Sequence, residues 1–206
     1  MAGYMKGLTV KTNDVYEMSY DFWFENSEFD DHDQWGSGYY VNDFYKKIVY
    51  NLDIPDDGYV VVIGTARAIS FDLLCKHFGE DRCIGYDLYN PSNHPRVFNK
   101  DCMELSEKDN IPIAFAHNDI GSLSHTPELK IKTHKWLTSN IVDGGYMMGN
   151  NNLNRAKFKF EEYMEEHGFK NTQFSDLPSN FDISNFPKER IEGYMLSENA
   201  KLESAC

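Results

Sequence analysis

Cysteine is scarce and scattered in this chain. The four present (Cys75, Cys83, Cys102 and Cys206) are widely spaced, with no C-x-x-C pair. That pattern argues for free thiols in a reduced compartment rather than a disulfide framework. Basic residues are also few, 20 against 33 acidic ones, for a net charge of −13. A field of this sign repels phosphate backbones and anionic membrane surfaces, so nucleic acid is not the expected partner. Lys130, Lys132 and Lys135 read as one solvated helix face rather than a basic patch. Long apolar runs are missing as well: nowhere do about eighteen apolar residues follow one another. The stretch from Met1 to Val10 lacks the sustained apolar core of a signal peptide. Internal repeats are absent too. These absences lead to the expectation of a soluble, cytoplasmic protein with no membrane partner.

What the chain does have is aromatic side chains, 15% of its 206 residues. That content excludes disorder over most of the length, and the length suits one domain of ordinary size. Residues 1–58 stand apart from the rest. Aromatics recur at helical spacing over Tyr16–Asn26 and Tyr39–Leu52, on either side of an acidic loop closed by Gly36-Ser37-Gly38. The segment is expected to be a helical, aromatic cap. Trp23 is expected to pack, whereas Trp35, beside its glycine hinge, is the lid candidate together with Tyr39 and Tyr40. Pro55-Asp56-Asp57-Gly58 is a turn leading into the core.

The most informative stretch follows. Tyr59-Val60-Val61-Val62-Ile63-Gly64 is a β-branched burst that predicts a fully buried strand. It passes through small residues into a helix over Ser70 to Phe78. Strand, tight turn and helix aim backbone N–H groups and a positive helix end at a ligand. About twenty residues on, Ile84-Gly85-Tyr86-Asp87 predicts a second strand ending in a carboxylate, a spacing that suits hydrogen bonds from a ribose. Together they point to a nucleotide-type cofactor. That second strand is expected over Cys83–Asp87, and further strands over Arg96–Asn99, Pro112–His117 and Tyr146–Gly149, the last after a Gly144-Gly145 turn. Helices are expected over Pro127–Ile141 and Arg155–His167, and a closing pair of strands over Lys170–Ser175 and Ile191–Ser197. Such alternation predicts an α/β fold with a parallel sheet and helices on both faces, over residues 59–199. Residues 200–206 are expected to fray.

These residues resemble the class I S-adenosylmethionine-dependent methyltransferases, and within them the small-molecule O-methyltransferase-like proteins. The landmarks are Ile63-Gly64-Thr65-Ala66-Arg67-Ala68, Ile84-Gly85-Tyr86-Asp87-Leu88 and Phe98-Asn99-Lys100-Asp101-Cys102. After them come Ala116-His117-Asn118-Asp119, the Asp143-Gly144-Gly145-Tyr146 turn and Glu165-Glu166-His167-Gly168-Phe169. The resemblance implies a Rossmann-like open sheet of about seven mostly parallel strands with an antiparallel last strand. It implies S-adenosylmethionine as cofactor, lying across the carboxyl ends of the strands. Gly64, Thr65 and Ala66 would hold its methionine part and Asp87 its ribose, while Asp101 with Cys102 would border the adenine. Ser70, Leu88 and Asn118 complete the expected cofactor contacts. Asp119 would sit near the transferring methyl.

Three positions depart from the family pattern. Val62 stands where an acid is usual two residues before the first glycine, and Ala66 and Ala68 replace later glycines of the loop. Alanine adds a methyl and disfavours positive φ. Metal-dependent relatives carry an Asp-Asn pair where this chain has Asn150-Asn151. With Asp119 as the one carboxylate, that set holds a hard cation weakly, so a metal-independent reaction is expected. Asp119 and His125 are then the candidate catalytic groups, since imidazole titrates near neutrality. His117 reads more readily as a hydrogen-bonded strand residue and His134 as a structural one in mid-helix, while Arg67, exposed on the turn, reads equally as a partner for a carboxylate or as a solvated side chain. The expected activity is methyl transfer to a small hydroxyl- or amine-bearing metabolite. The alternatives are a non-catalytic binding or regulatory protein of the same shape, and an enzyme that cleaves S-adenosylmethionine itself.

Overall fold

A computed structural model describes residues 44–65, 68–88, 90, 92–119, 127–150, 159–178, 181, 183 and 194–200, with the side chains of 127–130 and 150 outside the description. The chain divides into two compact units, Met1–His32 and Asp33–Cys206, and every described residue lies in the second. Trp23, Trp35, Tyr39 and Tyr40, the residues of the expected cap, fall outside the described set.

The β-branched run forms β1 (Tyr59–Ile63), with four of its five residues buried. Successive side chains of a strand point to opposite faces, and both faces of β1 are covered. Val60 and Val62 join a core cluster with Phe71, Leu74 and Cys75, while Val61 and Ile63 join a second cluster with Trp136, Leu137, Phe160 and Met164. Three helices supply these groups. Helix α1 (Ile69–Phe78) serves the first face, and α2 (Pro127–Thr138) and α3 (Phe160–Glu166) serve the other. Burial on both sides is why β1 shows no polar alternation.

The remaining strands are β2 (Cys83–Asp87), β3 (Val97–Asn99), β4 (Ile113–Asn118), β5 (Ile141–Asn150), β6 (Phe169–Gln173) and β7 (Tyr194–Asn199). Together with β1 they form one seven-stranded sheet in the order β3-β2-β1-β4-β5-β7-β6. The pairs among β1 to β5 are parallel, and β7 runs antiparallel to both β5 and β6. The expected α/β, Rossmann-like sheet with an antiparallel last strand is therefore present. Residues 44–51, a helical turn followed by the 3-10 turn Val49–Asn51, add Phe44, Tyr45, Ile48 and Val49 to the first cluster. Among the described residues, no helix is long and apolar enough to cross a membrane.

The sequence reading and the structure part at β5. Asp143-Gly144-Gly145 reads as a turn after a helix reaching Ile141, yet α2 stops at Thr138 and β5 already begins at Ile141. The turn residues lie inside the strand as an irregularity: Ile113 pairs with Ile141, but Phe115 pairs with Tyr146. Gly144 takes a positive φ of 74° there, a conformation open to glycine at little cost. A Cβ on Gly145 would lie 3.0 Å from the Ala114 carbonyl oxygen. The glycines thus mark a kink in a continuing strand. Among the described residues, no helix connects β2 to β3. Asn90 ties this connection: its Nδ2 donates to the His94 and Val97 carbonyls at 3.0 Å each, and its Oδ1 accepts from Ser92 and His94.

Candidate functional site

The sheet order reverses between β1 and β4, so the strands after them run outward in opposite directions. In open α/β sheets, the carboxyl ends at such a reversal are where ligands bind. Hydrogen bonds tie these ends together. Gly64 N–H donates to the Tyr86 carbonyl, Asp119 N–H to that of Ile63 and Lys100 N–H to that of Asp87, each at 2.8 Å. Eight of the sequence-predicted residues therefore share one rim. They are Gly64 and Thr65 after β1, Asp87 and Leu88 at β2, Asp101 and Cys102 after β3, and Asn118 and Asp119 at β4. Ser70, buried in the first turn of α1, stands just behind it. Ala66 and His125 lie outside the described residues, as do Arg67 and Asn151.

The loop after β1 keeps its turn without its later glycines. Gly64 has φ 87° and Ala68 φ 61°, so one of the two replacing alanines holds the left-handed conformation that a glycine would adopt readily. Ala68 N–H donates to the Thr65 carbonyl at 2.7 Å and its own carbonyl accepts from Asp72 N–H at 2.7 Å, which starts α1. Thr65 folds inward over β2. A Cβ on Gly85 would lie 2.7 Å from Thr65 Cγ2 and 2.9 Å from Val97 Cγ2, so a glycine in mid-β2 leaves the room in which Thr65 sits.

Further along the rim, Asp101 accepts a hydrogen bond from Met103 N–H at 2.8 Å and caps the 3-10 turn Cys102–Glu104. One carboxylate oxygen is thereby engaged in turn chemistry. Burial pushes the Cys102 thiol up, against the opposing pull of a hydrogen bond with Thr133. Leu88 and Phe98 are exposed apolar groups on this side. Lys100 pairs with Asp109, and that ammonium, followed by the Ser106 backbone, holds the Asp109 carboxyl below its usual range.

At β4 two buried histidines flank the strand end. His117, on the β1 side of the alternation shared with Val62, bonds Tyr45 Oη through Nδ1 at 2.7 Å. Burial, then the nearby Asp119 carboxylate, push the Tyr45 hydroxyl well above its ordinary range, so it stays protonated. Asn118 points to the other face, where Nδ2 meets His134 Nδ1 of α2 at 3.1 Å. His134 is the contact that sequence reasoning passes over. Its partner lies on another element, and no local spacing marks the pair.

On this rim, the buried Thr65 Oγ1 and Asn118 Oδ1 have no hydrogen-bond partner among the described residues. Leaving such groups unmet costs about 1–3 kcal/mol each, and a polar ligand at the strand ends would recover it. With the backbone of Gly64 and Thr65 after β1 and the Asp87 carboxylate at β2, this donor and acceptor set fits a cofactor carrying an amino acid at one end and a ribose at the other. Among the described residues, no group of three or more His, Cys, Asp or Glu side chains is placed to hold a metal ion.

No protein-family model matches the sequence, and no curated protein does. Solved structures do match in shape. The sugar N-methyltransferase KedS8 from Streptoalloteichus sp. is 10% identical, covers 98% of this chain and 99% of its own, and gives a TM-score of 0.53. N-methyltransferase NodS from Bradyrhizobium japonicum, solved with S-adenosyl-L-homocysteine, is 10% identical, with coverage of 88% and 95% and a TM-score of 0.51. The 1,6-didemethyltoxoflavin-N1-methyltransferase of Burkholderia thailandensis, with its named substrate and S-adenosylhomocysteine bound, is 13% identical over 92% and 85%, with a TM-score of 0.50. The likeness is one of fold: the chain is built as these methyltransferases are.

Proposed function

We propose that this chain is an enzyme that transfers a methyl group from S-adenosylmethionine to a small hydroxyl- or amine-bearing molecule. The observation that carries the reading is the single rim at the β1/β4 reversal. It brings together the Gly64 turn, the Asp87 carboxylate and the orphan oxygens of Thr65 and Asn118. The fold shared with methyltransferases, two of which hold S-adenosylhomocysteine, supports the same cofactor. The N-methyltransferases among those structures favour nitrogen as the accepting atom.

The bound cofactor supplies an electrophilic methyl group. The chain's own part is placement and proton handling. Backbone groups of Gly64 and Thr65 hold the amino-acid end, Asp87 accepts from the ribose hydroxyls, and Asp101 and Cys102 border the base. Asp119, partly exposed at the end of β4, is the group to take a proton from the acceptor. His117 stays behind it, engaged with Tyr45.

Calorimetric titration with S-adenosylhomocysteine tests this reading. The parent protein should bind and gain thermal stability with ligand concentration, because a ligand bound only to the native state stabilises it. Asp87→Ala should weaken binding roughly tenfold, the loss of one or two charge-assisted hydrogen bonds, while its melting temperature without ligand stays near the parent's. Neither heat nor thermal shift at millimolar ligand would remove the reading.

A further inference from the structure

The last residue of β4 carries more order than packing requires. Asn118 is 8% exposed and His134 3%, and Asn118 Nδ2 lies 3.1 Å from His134 Nδ1. An amide nitrogen only donates, so His134 Nδ1 accepts and the neutral ring carries its proton on Nε2. The ring is held in place by edge-on contacts with Phe160 and Tyr163 of α3, at centroid separations of 5.5 and 5.8 Å. With its NH2 placed in this way, Asn118 turns its carbonyl oxygen away from His134, and that buried oxygen meets no donor among the described residues.

We infer that His134 is a positioning residue that sets the polarity of the Asn118 amide, so that the end of β4 presents a hydrogen-bond acceptor to the ligand. The ligand group received there is then a donor, an amine, ammonium or hydroxyl, rather than a carboxylate. The inference rests on the proposed cofactor site and adds to it which end of Asn118 is used and what holds it. Asn118 is in register with Ile63, whose carbonyl accepts the Asp119 N–H, so the acceptor stands at the reversal of the sheet.

The test combines nuclear magnetic resonance with calorimetry, using S-adenosylhomocysteine as probe. In the parent protein the His134 ring should be the Nε2–H tautomer, and the Asn118 side-chain amide should give a distinct, hydrogen-bonded signal. His134→Phe keeps a ring between Phe160 and Tyr163 but removes the acceptor. It should shift the Asn118 amide signal and weaken probe binding by about fivefold, the size of one hydrogen bond. His134→Gln restores an acceptor, and should recover both the signal and most of the affinity. A parent ring protonated on Nδ1 would overturn the inference without any variant. Parent-like affinity in His134→Phe would overturn it while leaving the cofactor reading intact, and so would equal losses in both variants. Failure of the parent to bind the probe would instead strike the cofactor reading, and this ligand-facing role with it.

Discussion

The two halves of the sheet meet the same rim in different ways. On the β1–β3 side the polar groups come from turns: the Gly64 loop, the Asp101 cap and the Asn90 hub, with Leu88 and Phe98 45% and 46% exposed beside them. On the β4–β7 side they come from side chains sealed in the interior. His117 is 1% exposed, Thr133 and Ser197 are fully buried, and Ser197 donates to Asn171 at 2.5 Å. The first half builds its polar groups by local chain geometry and the second by long-range packing. Substitutions should therefore act mainly through binding in the one and through stability in the other.

The largest effect should come from overfilling the sealed half. A Cβ on Gly149 of β5 would lie 2.3 Å from Phe160 Cε2, and Phe160 is 1% exposed. Gly149→Ala should therefore cost about 1–3 kcal/mol, as overpacking does, read from urea unfolding. A cost near zero would mean that α3 shifts freely and this half is not sealed.

A smaller loss is expected from Tyr45→Phe, which removes the 2.7 Å bond between the tyrosine hydroxyl and His117 Nδ1, at about 1–2 kcal/mol. The same variant carries a pH signature. The folded-state pKa of Tyr45 lies above its ordinary value of 10.0, so the folded chain holds that proton more tightly than the unfolded one. Stability from this source is complete below about pH 10 and falls as pH rises further. Tyr45→Phe should flatten that alkaline decline, and an unchanged slope would show that Tyr45 is not sealed.

Least of all should change with Ala68→Gly in the turn-built half. Left-handed backbone costs alanine about 1–2 kcal/mol, and the methyl, buried at 2% exposure, gives back about 0.8 kcal/mol. The two nearly cancel, so the variant should match or slightly exceed the parent in urea unfolding. A loss above about 1 kcal/mol would show that the methyl packs in a role the turn conformation does not explain.

The turn-built half was also the more legible in sequence. The apolar run, glycine and helix placed β1, α1 and β2 to within a residue, because each signal is local. Asp101 could be read as turn chemistry for the same reason. The sealed half hid its connections. The Tyr45–His117 bond spans 72 positions and Asn118–His134 spans 16, and no periodicity encodes a partner on another element. His134 in mid-helix looks structural until α2 is laid on β4. Gly144-Gly145 reads as a turn, but a kink and a turn share that residue pattern, so the sequence starts β5 at Tyr146, five residues after Ile141. Strand order is not legible in the sequence either, since hydrophobic pattern carries no information on which strands are neighbours.

The place of β7 has a consequence for how the molecule is made. Among the described strands, β6 adjoins β7 alone, and β7 in turn lies against β5. Strands β1 to β5 can join one another as they leave the ribosome, but β6 must wait for residues 194–199, synthesised after it, to slot in between. The last wedge of the sheet thus joins residues of distant synthesis times, with Tyr194 facing Asn150 and Asn199 facing Phe169. During translation this interval leaves the β5 edge open, and it is the window in which a nascent chain of this topology is most exposed to pairing with a neighbour.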